Sequence, residues 1–168
     1  MFTFENKTVV VVGGTSGINL GIAQCFAKAG ANVAVVSRSQ DKVDAAVEGL
    51  KALGANAMGV SADVRNYGEL VNAMDTFKDC FGEFDVLVSV AAGNFPALVM
   101  DMSANAFASV INIVLLGTFN VLKAAYPNLK KPGSSVSNIS APQYYIAAAF
   151  QTHVVLVTAG VVSLSMPM

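Results

Sequence analysis

Gly13, Gly14, Gly17 and Gly21 follow directly on the valine run Val9–Val12, with Thr15, Ser16 and Ile18 set between them. Four consecutive valines suit a strand buried on both faces. From Ile18 to Ala29 the spacing is helical, with Ile22, Ala23, Phe26 and Ala27 on one side. A strand that passes through glycines into a helix N-terminus makes an anion cradle. The first N–H groups of the helix lack intrahelical partners, and the helix dipole adds positive character there. The chemistry on offer is phosphate binding. An ordinary strand-to-helix turn uses the same residue types, so residues elsewhere must decide between the two.

The elements that have to position this turn alternate regularly. Strands are predicted at Thr8–Val12, Asn32–Ser37, Asn56–Ser61, Phe84–Val90 and Ser134–Ser140. Helices are predicted from Gly17 to Ala29, Gln40 to Leu53, Asn66 (as cap) to Phe81, Ser103 (as cap) to about Leu129, and Ala147 to Leu164. Such alternation means βαβ units: a doubly wound, Rossmann-type parallel sheet of five strands with helices on both faces. Ligands of these sheets bind outside the carboxyl ends of the strands, beside the first one. Gly13–Gly17, Ser37–Ser39, Asp63-Val64 and Ala91–Asn94 all fall at such ends. Their convergence argues for a nucleotide site.

The end of the second strand separates NAD from NADP. An acid there would accept from a ribose 2′-OH, whereas arginine favours a 2′-phosphate. This chain carries Ser37, Arg38 and Ser39 there and no acid before Asp41. Paired guanidinium donors and two hydroxyls favour NADP(H); the alternative is a solvated surface arginine. Asp63 and Val64 would lie near the adenine, or Asp63 is a loop or capping residue.

Composition narrows the classes further. A length of 168 residues suits a single domain with a real core, and a net charge of −1 offers no basic footprint for nucleic acid. Only 12% of residues are charged. All eleven acids lie in residues 1–101, and residues 102–168 hold only Lys123, Lys130 and Lys131. A water-facing helix needs a polar face, so the second part is expected to be covered in an oligomer. Cys25 and Cys80 are far apart with no metal spacing, which suggests reduced thiols in the cytoplasm. No signal peptide is expected from MFTFENK, and no membrane span from the apolar 144–168 stretch, which Gln151, Thr152 and His153 interrupt.

Together GGTSGINLGIA at 13–23, SRS at 37–39, ADV at 62–64 and VLVSVAAGNF at 86–95 resemble the short-chain dehydrogenase/reductases. The AAGNF at 91–95 is similar to their 2,4-dienoyl-CoA reductase-like branch. The resemblance implies a cytoplasmic, NADPH-dependent reductase of enoyl or dienoyl thioesters or related carbonyls, and a homo-oligomer built through the fourth and fifth helices. By that resemblance Gly13, Thr15, Ser16, Gly17 and Ile18 hold the pyrophosphate, and Ser37, Arg38 and Ser39 the 2′-phosphate. Asp63 and Val64 hold the adenine, and Ala91, Ala92 and Gly93 the nicotinamide ribose. Asn94 and Phe95 border the substrate. Asn19 replaces the usual third glycine, a position where Asn tolerates a left-handed backbone.

The same alignment leaves the family's catalytic positions without their usual residues. The asparagine, serine, tyrosine and lysine slots hold Val114, Ala141, Val154 and Thr158. In the dienoyl-CoA branch the tyrosine comes earlier, at Gln143 here, so Tyr144 is either the proton donor or a packing aromatic. His153 is an alternative acid or a structural histidine. The family's sixth and seventh strands find no counterpart in this sequence. An NADP-binding module without turnover, or an inert fragment, is therefore the alternative to an active reductase.

Overall fold

In the computed structural model, which describes residues 3–89, 93–146 and 149–166, β1 (Thr8–Val12) is buried at every position. Its valines alternate between two cores. Val9 and Val11 pack with Ala23, Ala27 and Leu50, whereas Val10 and Val12 pack with Leu70, Met74, Phe77 and Val121. Helices on both faces explain why the strand reads as a continuous apolar run rather than an alternating one.

The sheet is fully parallel, in the order β3-β2-β1-β4-β5, with β2 at Asn32–Ser37, β3 at Ala57–Ser61, β4 at Val86–Ser89 and β5 at Ser135–Asn138. Thr8 pairs with Asn32 and Val9 with Val86, so β1 lies between the two directions of winding. Helices α1 (Gly17–Lys28) and α2 (Gln40–Ala52) cover one face. On the other face lie α3 (Tyr67–Phe81) and the long α4 (Ala104–Asn128). Last comes α5 (Thr152–Ser165), which packs against α4 and β5.

Two caps follow the sequence reading: the Asn66 side chain accepts from the Glu69 N–H, and Ser103 Oγ accepts from the Ala106 N–H at 3.1 Å. Several elements differ from it: β3 begins at Ala57 rather than Asn56, and β4 at Val86 rather than Phe84, which forms an isolated bridge to Leu129, while Val90 lies outside the described residues. Strand β5 is shorter than Ser134–Ser140, because Asn138 is the last residue in register with β4, opposite Ser89. The last helix begins at Thr152, since Phe150 takes a positive φ of 62° and its carbonyl accepts from the Ala97 N–H. Within α4, Ile111–Leu116 is π-helical, so the helix is not uniform. By length and composition α4 could cross a membrane, but its C-terminal half (Val121, Ala124, Ala125) is core.

Candidate functional site

The turn after β1 is shaped by two glycine requirements. Gly13 donates to the Val36 carbonyl at 2.8 Å, extending the β1–β2 ladder by one residue, and then turns with φ 75°. At Gly14 an added Cβ would lie 2.8 Å from Val35 Cγ1, so only glycine lets the turn sit this close to the sheet. Helix α1 then starts at Gly17 with Ser16 as an extended N-cap whose side chain makes no capping bond. Its first turn carries no acid. The leading N–H groups are thus left for an external anion.

A cleft of about 370 Å³ opens here, over the carboxyl ends of β1, β2 and β3. Gly13, Thr15, Ser16, Gly17, Ile18, Ser37, Arg38, Asp63 and Val64 all line it. The structure therefore brings together residues from three separate loops that the sequence singled out. Ser39 is not among the lining residues; it sits at the N-cap position of α2, where its side chain makes no capping bond. Ala91 and Ala92 lie outside the described residues. Gly93 is not among the lining residues, but an added Cβ there would stand 3.2 Å from Cδ1 of Ile113, which does line the cleft.

Ile113 was not singled out by sequence. It reaches the cleft from the π-helical section of α4, and no sequence signal marks such a section. Asn19 also differs from expectation. It is helical, not left-handed, and its buried amide donates to the Val12 carbonyl at 3.3 Å, tying α1 to the end of β1. An interior helical site needs no positive φ, so an amide fits where the family has glycine.

The electrostatics concentrate at the end of the cleft beyond β3. Arg65 donates to both oxygens of Asp63, through Nε at 3.0 and 3.1 Å and through Nη2. The Arg65 bond, despite opposing desolvation and with help from the charges of Arg65 and Arg38, holds the Asp63 carboxyl below its usual range. Asp63 is therefore an anion with a fixed partner. Arg38 is exposed, and its carbonyl accepts from Ser61 Oγ at 3.1 Å, which anchors its loop to β3.

The catalytic slots stand apart from this order. Thr158 is buried, with its hydroxyl 2.7 Å from the Val154 carbonyl of its own helix. Val154 is buried, Val114 lies in the π-helical section, and Ala141 is extended. The structure does not bring Tyr144 to the cleft. It is 44% exposed and meets Tyr145 edge-on, the arrangement of a surface aromatic pair. His153 is fully buried, stacked on Phe95 at 4.7 Å, and its Nε2 lies 2.8 Å from the Phe95 carbonyl. That geometry is structural and couples α5 to the segment after β4, as does the Asn94–Gln151 bond. Among the described residues no group of three or more His, Cys, Asp or Glu could hold a metal ion.

Comparison with known proteins places this geometry in a family. The short chain dehydrogenase family profile matches residues 7–150. The chain is 38% identical over 159 residues to an Arabidopsis thaliana peroxisomal 2,4-dienoyl-CoA reductase, described as (3E)-enoyl-CoA-producing. That alignment covers 89% of this chain and 53% of the plant protein. A Saccharomyces cerevisiae peroxisomal 2,4-dienoyl-CoA reductase is 35% identical, over 96% of this chain and 57% of its own. The chain thus spans about half the length of these relatives. A crystal structure of a short chain dehydrogenase from Bacillus anthracis superposes with TM-score 0.89 at 32% identity, over 97% of this chain and 66% of that one. One from Burkholderia cenocepacia, in complex with NADP, shares the fold at TM-score 0.89 and 24% identity, over 96% and 66% of the two chains. With the matched profile covering most of the chain and the parallel sheet in place, this chain belongs to the short chain dehydrogenase family.

Proposed function

We propose that this chain is the cofactor-binding part of an NADPH-dependent reductase acting on enoyl- or dienoyl-CoA thioesters or a related carbonyl. One observation carries the reading: the glycine turn, Arg38 and the Asp63-Val64 pair line a single cleft over the carboxyl ends of β1, β2 and β3. The relatives named as 2,4-dienoyl-CoA reductases support the substrate class. The nicotinamide cofactor, when bound, supplies a hydride. The N–H groups at Gly13–Ile18 hold its pyrophosphate, and Arg38 with Ser37 holds the 2′-phosphate. Asp63 and Val64 hold the adenine, and Ala91 to Gly93 the ribose. Binding and orientation are this chain's contribution; the acyl thioester meets Asn94 and Phe95.

The test is titration of NADPH and NADH by cofactor fluorescence, followed by NADPH oxidation with a dienoyl-CoA. Arg38→Gln should weaken NADPH about tenfold to a hundredfold and leave NADH nearly unchanged, since a charged hydrogen bond contributes about 1.5–3 kcal/mol. An unchanged NADPH preference removes the 2′-phosphate assignment. A second reading, binding without turnover, is favoured by the Thr158 hydroxyl being bonded back to its own helix and by apolar Val114, Ala141 and Val154 in the other slots. Binding with no oxidation selects it.

We further propose a homo-oligomer. Helix α4 leaves Phe107, Leu116 and Phe119 exposed and α5 leaves Leu156 exposed, in a region with no acid, so a second copy is the occupant the chemistry favours. Light scattering that finds a monomer rejects this. Cytoplasmic residence is proposed from the two free, exposed thiols Cys25 and Cys80.

A further inference from the structure

Two arginines stand at the adenine end of the cleft, and they do different things. Arg65 is committed: its Nε and Nη2 bind the Asp63 carboxylate, and its own N–H donates to Asp63 Oδ1 at 2.9 Å. Arg38, which lines the same cleft as Asp63, makes no side-chain hydrogen bond or salt bridge among the described residues. Glu69, which bonds the Asp63 backbone, is also occupied. Its Oε2 accepts from the Asp63 N–H and its Oε1 from Asn66 Nδ2, both at 2.8 Å.

An unpaired carboxylate beside Arg38 would have two effects. It would compete for the guanidinium, and it would repel a dianionic phosphate approaching the same loop. Arg65 suppresses both, since a bidentate guanidinium satisfies the planar carboxylate and cancels its charge. We propose that Arg65 is a specificity-determining residue for the phosphorylated cofactor: it holds the Asp63 carboxylate and thereby leaves Arg38 uncommitted for the 2′-phosphate. The inference rests on the assignment of Arg38 to that phosphate. It adds a residue that touches neither the phosphate nor the reacting atoms and acts through a neighbour's charge.

The experiment measures NADPH and NADH dissociation constants for the full chain and for Arg65→Gln, Arg65→Gln with Asp63→Asn, and Arg38→Gln. The adenine is common to both cofactors, so any loss of an adenine contact at Asp63 cancels in the NADPH/NADH ratio. The ratio should fall about fivefold in Arg65→Gln, an effect of the size expected for a partly exposed charge. It should recover in the double variant, where no carboxylate remains to be neutralised. Added salt should shrink the difference. A ratio unchanged in Arg65→Gln while Arg38→Gln abolishes the preference overturns the role of Arg65 and leaves the Arg38 assignment standing. Equal weakening of both cofactors in Arg65→Gln overturns it too, as general damage to the loop. A preference that survives Arg38→Gln, or no binding by the parent chain, removes both.

Discussion

Glycine-to-alanine substitution has opposite expected effects at Gly14 in the turn and at Gly21 inside α1. At Gly14 an alanine Cβ would lie 2.8 Å from Val35 Cγ1, 2.9 Å from the Val11 carbonyl oxygen and 3.2 Å from Val11 Cβ. Val11 cannot retreat freely, because β1 is hydrogen-bonded on both sides, to β2 and β4. Overpacking of this kind costs about 1–3 kcal/mol. A domain of this size loses about 2–4 °C of midpoint per kcal/mol, so a cost of about 2 kcal/mol lowers Tm by about 4–8 °C. At Gly21, inside α1, an added Cβ meets nothing within 4 Å. There alanine removes glycine's entropic disadvantage of about 0.5–1 kcal/mol, and Tm rises by about 1–4 °C. Thermal and urea unfolding followed by circular dichroism measures both. The Gly14 variant should also bind NADPH less tightly, since the turn must move off the sheet. A Gly14→Ala protein that melts with the parent, or a Gly21→Ala protein that falls as far as Gly14→Ala, refutes this account of the turn.

Asp85 predicts an acid-linked loss of stability. Burial pushes its carboxyl up, but the Thr8 N–H at 3.0 Å and the charges of Lys7 and Lys130 outweigh this and hold it below 3.8. A depressed folded-state value stabilises above the unfolded pKa, and that contribution is lost as pH falls through the folded value. Asp85→Asn should cost about 1 kcal/mol at neutral pH and flatten the decline between about pH 5 and pH 2, read by denaturant titration across pH. Asn66→Ala removes the acceptor of the Glu69 N–H and frees the Glu69 carboxylate that holds the Asp63 N–H. It should cost about 1 kcal/mol by urea unfolding; no loss would show that the cap contributes nothing.

Much of the fold was legible because local and global signals agree. The valine run, the helical spacing after it and the residues that stop each helix all describe one βα alternation. The errors fall where pairing or packing decides. Asn138, opposite Ser89, is the last β5 residue in register with β4 among the described residues, and Phe150 delays α5 through a backbone bond to Ala97. The π-helical section of α4 has no composition signal, and with it came the unforeseen Ile113 wall.

The same division holds for the site. Residue types pointed to an anion cradle and put an arginine in place of an acid after β2, and the family resemblance placed the catalytic slots at 114, 141, 154 and 158, where the sequence has Val, Ala, Val and Thr. These depend on which groups are present, and chemistry of that kind is carried by the residue itself. Only the tertiary structure decided which loops share a cleft, that Tyr144 lies outside it, that His153 is buried with its Nε2 against the Phe95 carbonyl, and that Arg65 rather than Arg38 holds Asp63. The reason is physical: a charge or hydroxyl acts through its distance and its partners, and those are set by how strands far apart in sequence come to lie side by side.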